Sequence, residues 1–231
     1  MKSGSSFAVR WLQATSAIFS KDIKSELRTR YALNALVMFV ITTLSIILFA
    51  LGGEAASSEL MCGVLWIIIF FSTMSGMSRS FVSEEERGTV LTLQLMTRPS
   101  TVFFGKLFFN FVLLSGTNLL SIVLYLVLIT NFVVRTPAIF IVVMLLGTMG
   151  LASACTIIAA IIAKANTKGT LYPVLSFPIL LPLLLTVING TLLSVEGAPF
   201  TEALEEVQIL VSYFVVITAV SYLLFDYVWK D

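Results

Sequence analysis

Apolar residues fall into six long blocks, roughly Leu33 to Leu51, Leu60 to Arg79, Lys106 to Thr130, Pro137 to Ala163, Thr170 to Leu193 and Val207 to Val228. Each is near the ~20 residues a helix needs to cross the hydrocarbon layer. The pattern predicts six transmembrane helices. Ahead of them the period changes: Phe7, Trp11, Ala14 and Ile18, then Phe19, Ile23 and Leu27, recur at helical spacing with Arg10, Lys21, Lys24, Arg28 and Arg30 between them. A basic amphipathic helix lying in the headgroup plane is expected over residues 7–31. The alternative is a solvated lead-in that only supplies topogenic charge.

Between the second and third blocks, Ser78 to Lys106 combines charge, a glycine break and a short apolar stripe. The second span is expected to continue as a helix through Glu84, Glu85 and Glu86 and to stop at Gly88, since glycine readily takes the left-handed conformation that ends helices. Thr89 is placed to cap a second helix over Val90 to Thr97, with Leu91 and Leu95 on one face at i, i+4. Pro99 is expected to end it, because the residue before proline avoids the helical region, and Ser100 or Thr101 to cap the third span. The product is a short helix with an exposed apolar ridge and an acidic approach, suited to insertion into a cleft of a soluble partner. Against this stands the reading in which Leu91, Leu93 and Leu95 rest on lipid and the acid run is merely solvated.

Composition agrees with the span pattern: 58% of residues are hydrophobic, 12% charged, and mean hydropathy is +1.01, where a soluble domain carries about 25% charge. With the N-terminus in the cytoplasm, 13 of the 14 Lys and Arg fall on the cytoplasmic side and only Arg135 outside, as the positive-inside rule requires. Glu54, Glu59, Glu196, Glu202, Glu205 and Glu206 fall outside. The expected organisation is therefore one all-α permease domain over 1–231, with a cytoplasmic or interfacial segment at 1–31, a cytoplasmic loop at 80–105 and both termini in the cytoplasm. The first block starts too late and runs too long for a cleaved secretory signal.

Pro173, Pro178 and Pro182 lie in the fifth block, the last two on one face. Since proline removes a backbone donor and clashes with the preceding turn, this helix is expected to be kinked or broken, either as a gate or as a bend imposed by packing. In the fourth, Gly147 and Gly150, followed by Ala152, Ser153 and Ala154, point to close helix packing.

The chemistry of an autonomous machine is not apparent. No Gly-rich loop leads into Lys and Ser/Thr, so no nucleotide site is expected. The apolar blocks lack the mid-membrane Asp, Glu or His of an ion-coupled carrier. With no histidine and all carboxylates near the span ends, no hydrolytic constellation suggests itself. Cys62 and Cys155 both fall inside apolar blocks, so a disulfide framework is not expected. The chain reads as a non-catalytic subunit powered from elsewhere.

Four stretches carry a resemblance that covers nearly the whole chain: Lys21-Asp22-Ile23 with Glu26 to Asn34; Ser78 to Phe81, Glu84, Gly88-Thr89, Pro99 and Gly105-Lys106; Leu146-Gly147-Thr148 with Gly150-Leu151-Ala152; and Lys168-Gly169 followed by Pro173, Pro178 and Pro182. In this order they resemble the haem exporter protein B family (CcmB), an ABC transporter permease subunit of cytochrome c maturation. The resemblance implies six spans in the bacterial inner membrane, a cytoplasmic ATPase subunit as partner, further maturation subunits and a periplasmic haem chaperone. It implies two copies per complex, ATP bound in the partner, and haem handled by the complex with no cofactor or metal bound directly here. The ATPase-coupling surface would then be Phe81, Glu84, Glu85, Glu86, Arg87, Gly88, Thr89, Leu91 and Leu95, with Pro173, Pro178 and Pro182 as gate candidates. The Met and Tyr residues, though able to ligate haem elsewhere, read here as packing residues. Two other readings stay open: a type-2 ABC permease for another cargo such as a lipid, glycan or drug, and a scaffold of the maturation complex that moves nothing.

Overall fold

The computed structural model describes residues 3–51, 56–77, 81, 84, 88–164 and 168–230. Eight helices follow one another among these residues: α1 Ser3–Thr29, α2 Tyr31–Leu51, α3 Ser58–Met77, α4 Val90–Met96, α5 Pro99–Leu128, α6 Pro137–Ala163, α7 Lys168–Glu196 and α8 Leu204–Lys230. Five of them, α3 and α5 to α8, carry stretches long and apolar enough to cross a membrane, and α2 contributes a shorter apolar stretch over Leu36–Ala50. The chain is a multi-pass membrane protein.

Helix α6 is the core of the bundle, buried along nearly its whole length. Its small residues let neighbours come close: a Cβ on Gly147 would stand 2.5 Å from Trp66 of α3 and 2.9 Å from Val187 of α7. One on Gly150 would stand 2.8 Å from Leu183 of α7. Some polar side chains inside the bundle pair across helices, which lowers the cost of burying them. Asn110 of α5 donates to Thr156 of α6 at 2.8 Å, and Asn118 of α5 donates to Thr148 of α6 at 3.0 Å. Both pairs are eight residues apart on each helix, in opposite chain direction, which fixes an antiparallel register for α5 and α6. Trp66 of α3 donates to Thr191 of α7 at 2.8 Å, and Tyr125 of α5 donates to the Met61 carbonyl of α3 at 2.7 Å.

Helix α1 does not stand apart from the bundle. It crosses α5 where Gly105 leaves room: a Cβ there would meet Ile18 at 2.8 Å. Edge contacts Trp11 to Phe104 and Phe19 to Phe108, with ring centroids 5.6 and 5.1 Å apart, flank the crossing. A single residue, Arg30, then turns the chain into α2 with φ 52°, and the Glu26 carboxylate accepts from the Leu33 N–H at 2.9 Å. The backbone donor freed at the start of α2 is thereby satisfied.

Several boundaries differ from the sequence expectations. The third span is the end of a longer helix that starts at Pro99, not near Lys106; proline takes the N1 position, where its missing N–H costs nothing. Arg98 is the N-cap, and neither Ser100 nor Thr101 caps. Helix α7 runs unbroken through its prolines. Pro178 and Pro182 face outward, and the Pro173 side chain lies outside those described. Near these prolines, Tyr213 of α8 donates to the Ile179 carbonyl at 2.9 Å, bracing the helix from the side.

Candidate functional site

The described residues of the segment joining α3 to α5 pack against the bundle at Phe81, Glu84 and Val90. Phe81 sits in a turn, so the second span does not continue as one helix to Glu84. The Glu84 N–H donates to the Phe81 carbonyl at 3.0 Å, and the Thr89 N–H to the Glu84 carbonyl at 3.0 Å. Between them Gly88 takes φ 66°, a conformation that costs a side-chain-bearing residue and suits glycine. Thr89 occupies the N-cap position of α4, but its hydroxyl makes no cap. It donates to the Glu84 carboxylate at 2.5 Å instead.

That carboxylate is the centre of an ion cluster whose members are buried except for Lys21, which lies at its exposed edge. Lys106 Nζ of α5 lies 3.1 Å from Glu84 Oε1 and 3.0 Å from Asp22 Oδ2 of α1. Lys21 of α1 also reaches Glu84 Oε1, at 2.5 Å, and its Nζ stands 3.4 Å from Asp22 Oδ1. Lys106 is 2% exposed, and Glu84 and Asp22 are each 6% exposed. Such charges are tolerated only when matched, and here two ammonium groups face two carboxylates. Burial raises the Glu84 pKa, but Lys106, then the hydrogen bonds from Lys21 and Thr89, outweigh it and bring the group from an ordinary 4.5 to about 2. Glu84 therefore stays ionised throughout the physiological range.

An aromatic cluster adjoins the ions. Lys106 Nζ stands 5.4 Å from the centre of the Phe81 ring, an attractive arrangement for a desolvated cation. Phe81 packs on Phe225 and Trp229 of α8 at 5.8 and 6.1 Å, and Phe103 of α5 on Phe225 at 5.4 Å. The segment is thus bound at once to α1, α5 and α8. Helix α4 shares this anchorage: Val90 is buried, Leu93 packs on the core, and Gln94 donates to the Trp229 carbonyl.

What α4 turns outward is apolar. Leu91 and Leu95 are 70% and 88% exposed, with Met96 beside them at 77%. The ridge expected from their spacing is present, and it stands on a short helix held from below. The acidic approach is different, since Phe81 and Glu84 are inside the protein and not on its surface; the reason is the pairing of Glu84 with two lysines. Glu85, Glu86 and Arg87 lie outside the described residues.

Lys21, Asp22 and Lys106 were not singled out by sequence reasoning as site residues. The available signal was the presence of Lys21-Asp22 and Gly105-Lys106 in the stretches that carry the family resemblance. Among the described residues no three His, Cys, Asp or Glu side chains cluster as a metal site requires.

Comparison with known proteins settles the family. A model described as CcmB protein matches residues 13–226. The chain belongs to the CcmB family. No curated protein matches it. The matched region takes in α1 from residue 13, the ion cluster, α4 and the long apolar helices, with α8 as far as residue 226. As a CcmB family member the chain is a membrane transporter subunit, a component of a haem-exporter ABC system of cytochrome c biogenesis.

Proposed function

We propose that this CcmB family protein is the permease subunit through which a separate cytoplasmic ATPase drives haem export, or release of a haem-loaded periplasmic chaperone, with α4 as the element on which the ATPase acts. The observation that carries the reading is the combination in α4: Leu91 and Leu95 project outward, while the helix is tied to α1, α5 and α8 through Glu84, Lys106, Phe81 and Gln94. A helix-in-groove contact needs apolar anchors one turn apart. Force transmission needs those anchors on something that does not yield, and a segment fastened to three long helices meets that need.

In this reading α2 supplies a sixth crossing, α1 and α4 face the cytoplasm with both termini, and the membrane is the bacterial inner membrane. The chain is non-catalytic, ATP is hydrolysed in the partner, and haem is cargo of the complex without direct ligation by this subunit. Two copies with two ATPase subunits form the working unit, since six spans make half a transporter. Gly88, Thr89, Leu91 and Leu95, with Glu85, Glu86 and Arg87 preceding them in the sequence, form the contact region, and Phe81 and Glu84 set its position from inside. Pro178 and Pro182, with Pro173, mark the span in which a bend between states is placed.

The test is purification from native membranes in mild detergent, with identification of the accompanying chains and an ATPase assay. The reading expects a soluble ATPase together with cytochrome c maturation subunits. An ATPase with unrelated partners moves the cargo elsewhere; no ATPase at all contradicts the reading.

A further inference from the structure

The ionic side chains around Glu84 come from separate elements and differ in exposure. Glu84 itself holds the start of α4: its carbonyl accepts from the Thr89 N–H at 3.0 Å and its Oε2 from the Thr89 hydroxyl at 2.5 Å. Its Oε1 is shared by Lys106 of α5 at 3.1 Å and Lys21 of α1 at 2.5 Å. The Lys106 side chain is 3% exposed and that of Lys21 is 43% exposed. One carboxylate thus ties the N-cap of α4 to two lysines, one enclosed and one at the surface.

Exposure gives the two lysines different roles. Loss of the enclosed one leaves carboxylates where water reaches them poorly, which is a defect of folding. An ion pair open to water contributes little to folding, so loss of Lys21 acts mainly on geometry. Lys106 Nζ lies 3.1 Å from Glu84 and 3.0 Å from Asp22 of α1. Lys21 Nζ faces the same two carboxylates, at 2.5 and 3.4 Å. Without Lys21, two carboxylates on two different elements share one ammonium and repel each other. Helix α1 has further holds on α5, where Ile18 lies against Gly105 and where Trp11 meets Phe104 and Phe19 meets Phe108. The part that yields is then the one carrying Glu84. Since Gln94 still donates to the Trp229 carbonyl, α4 turns about that end and its start swings away from α1.

We propose that Lys21 is a positioning residue for α4: from the open edge of the ion cluster it sets the angle at which Leu91 and Leu95 are presented. The consequence for the partner rests on the reading of α4 as the ATPase contact, whereas the geometry does not, and the two are measured apart.

Spin labels at Leu27→Cys in α1 and Leu95→Cys in α4 replace side chains that are 61% and 88% exposed, and native Cys62 and Cys155 are buried. Their separation is measured in the full permease in mild detergent, with Lys21 retained, with Lys21→Gln and with Lys21→Arg. The expected result is one narrow distance distribution with Lys21, a broader and displaced one in Lys21→Gln, and recovery of the narrow one in Lys21→Arg. The thermal midpoint of Lys21→Gln is expected to fall much less than that of Lys106→Ala. In the purified complex, ATPase retained per permease chain is expected to drop in Lys21→Gln and to recover in Lys21→Arg. An unchanged distance distribution in Lys21→Gln overturns the proposal and leaves the α4 reading standing. A thermal loss as large as that of Lys106→Ala also overturns it, by making Lys21 a folding residue. A displaced ridge that retains the ATPase at the wild-type level supports Lys21 as the positioning residue and contradicts the α4 reading.

Discussion

At the scale of single residues, the decisive one is Lys106, a buried cation that faces both Glu84 and Asp22. Removing Lys106 leaves Glu84 and Asp22 with only the part-exposed Lys21 opposite them, and breaking a buried ionic pairing costs about 3–5 kcal/mol. Lys106→Ala is therefore expected to lower the thermal midpoint in detergent strongly, and Lys106→Ala combined with Glu84→Gln to recover part of the loss; equal losses in the two would contradict the coupling. The sign of the pH dependence follows from Glu84. Its carboxyl is held at about 2 in the folded protein against an ordinary 4.5, so its stabilising contribution is complete above about 4.5 and is lost as pH falls toward 2. Glu84→Gln is expected to flatten that part of the midpoint-versus-pH curve. None of this pairing was apparent from the order of residues. Lys21 and Lys106 read as topogenic charge and Glu84 as a surface acid, because segments 63 and 22 residues away from Glu84 had to fold together before the groups could meet.

At the scale of elements, much was legible. Helix α6 runs over the span expected from its apolar run, and Gly88 takes the left-handed turn expected of it. The ridge of α4 follows from an i, i+4 spacing, which is a local property. What local rules missed were effects of neighbours. Thr89 leaves its cap because a buried carboxylate competes for its hydroxyl, and α7 keeps its helix through three prolines, of which Pro178 and Pro182 face outward. Close packing around α6 makes a separate prediction. Gly147→Ala would force a Cβ against Trp66 and Val187, an overpacking worth about 1–3 kcal/mol. Gly116→Ala in α5, where nothing stands within 4 Å of the added atom, is expected not to lower the thermal midpoint. If both substitutions behave alike in a thermal unfolding scan, α6 is not the tightly packed axis described.

At the scale of the whole molecule, the arrangement is a membrane bundle with one end specialised. Helix α1, the ion cluster, the aromatic cluster and α4 meet there, so α4 is joined to α8 through Gln94 and, by way of Thr89 and Glu84, to α1 and α5. The most direct measurement of the central claim is site-specific cross-linking at the ridge. Native Cys62 and Cys155 are both buried, so an introduced thiol gives the principal signal. Leu95→Cys is compared with Phe200→Cys, which lies exposed between α7 and α8, in native membranes with a thiol-to-amine cross-linker. The account predicts that Leu95→Cys captures the ATPase subunit, more strongly in one nucleotide state than another, and that Phe200→Cys does not. Capture of the ATPase from Phe200→Cys, or none from Leu95→Cys in any nucleotide state while the ATPase still accompanies the purified permease, would contradict it.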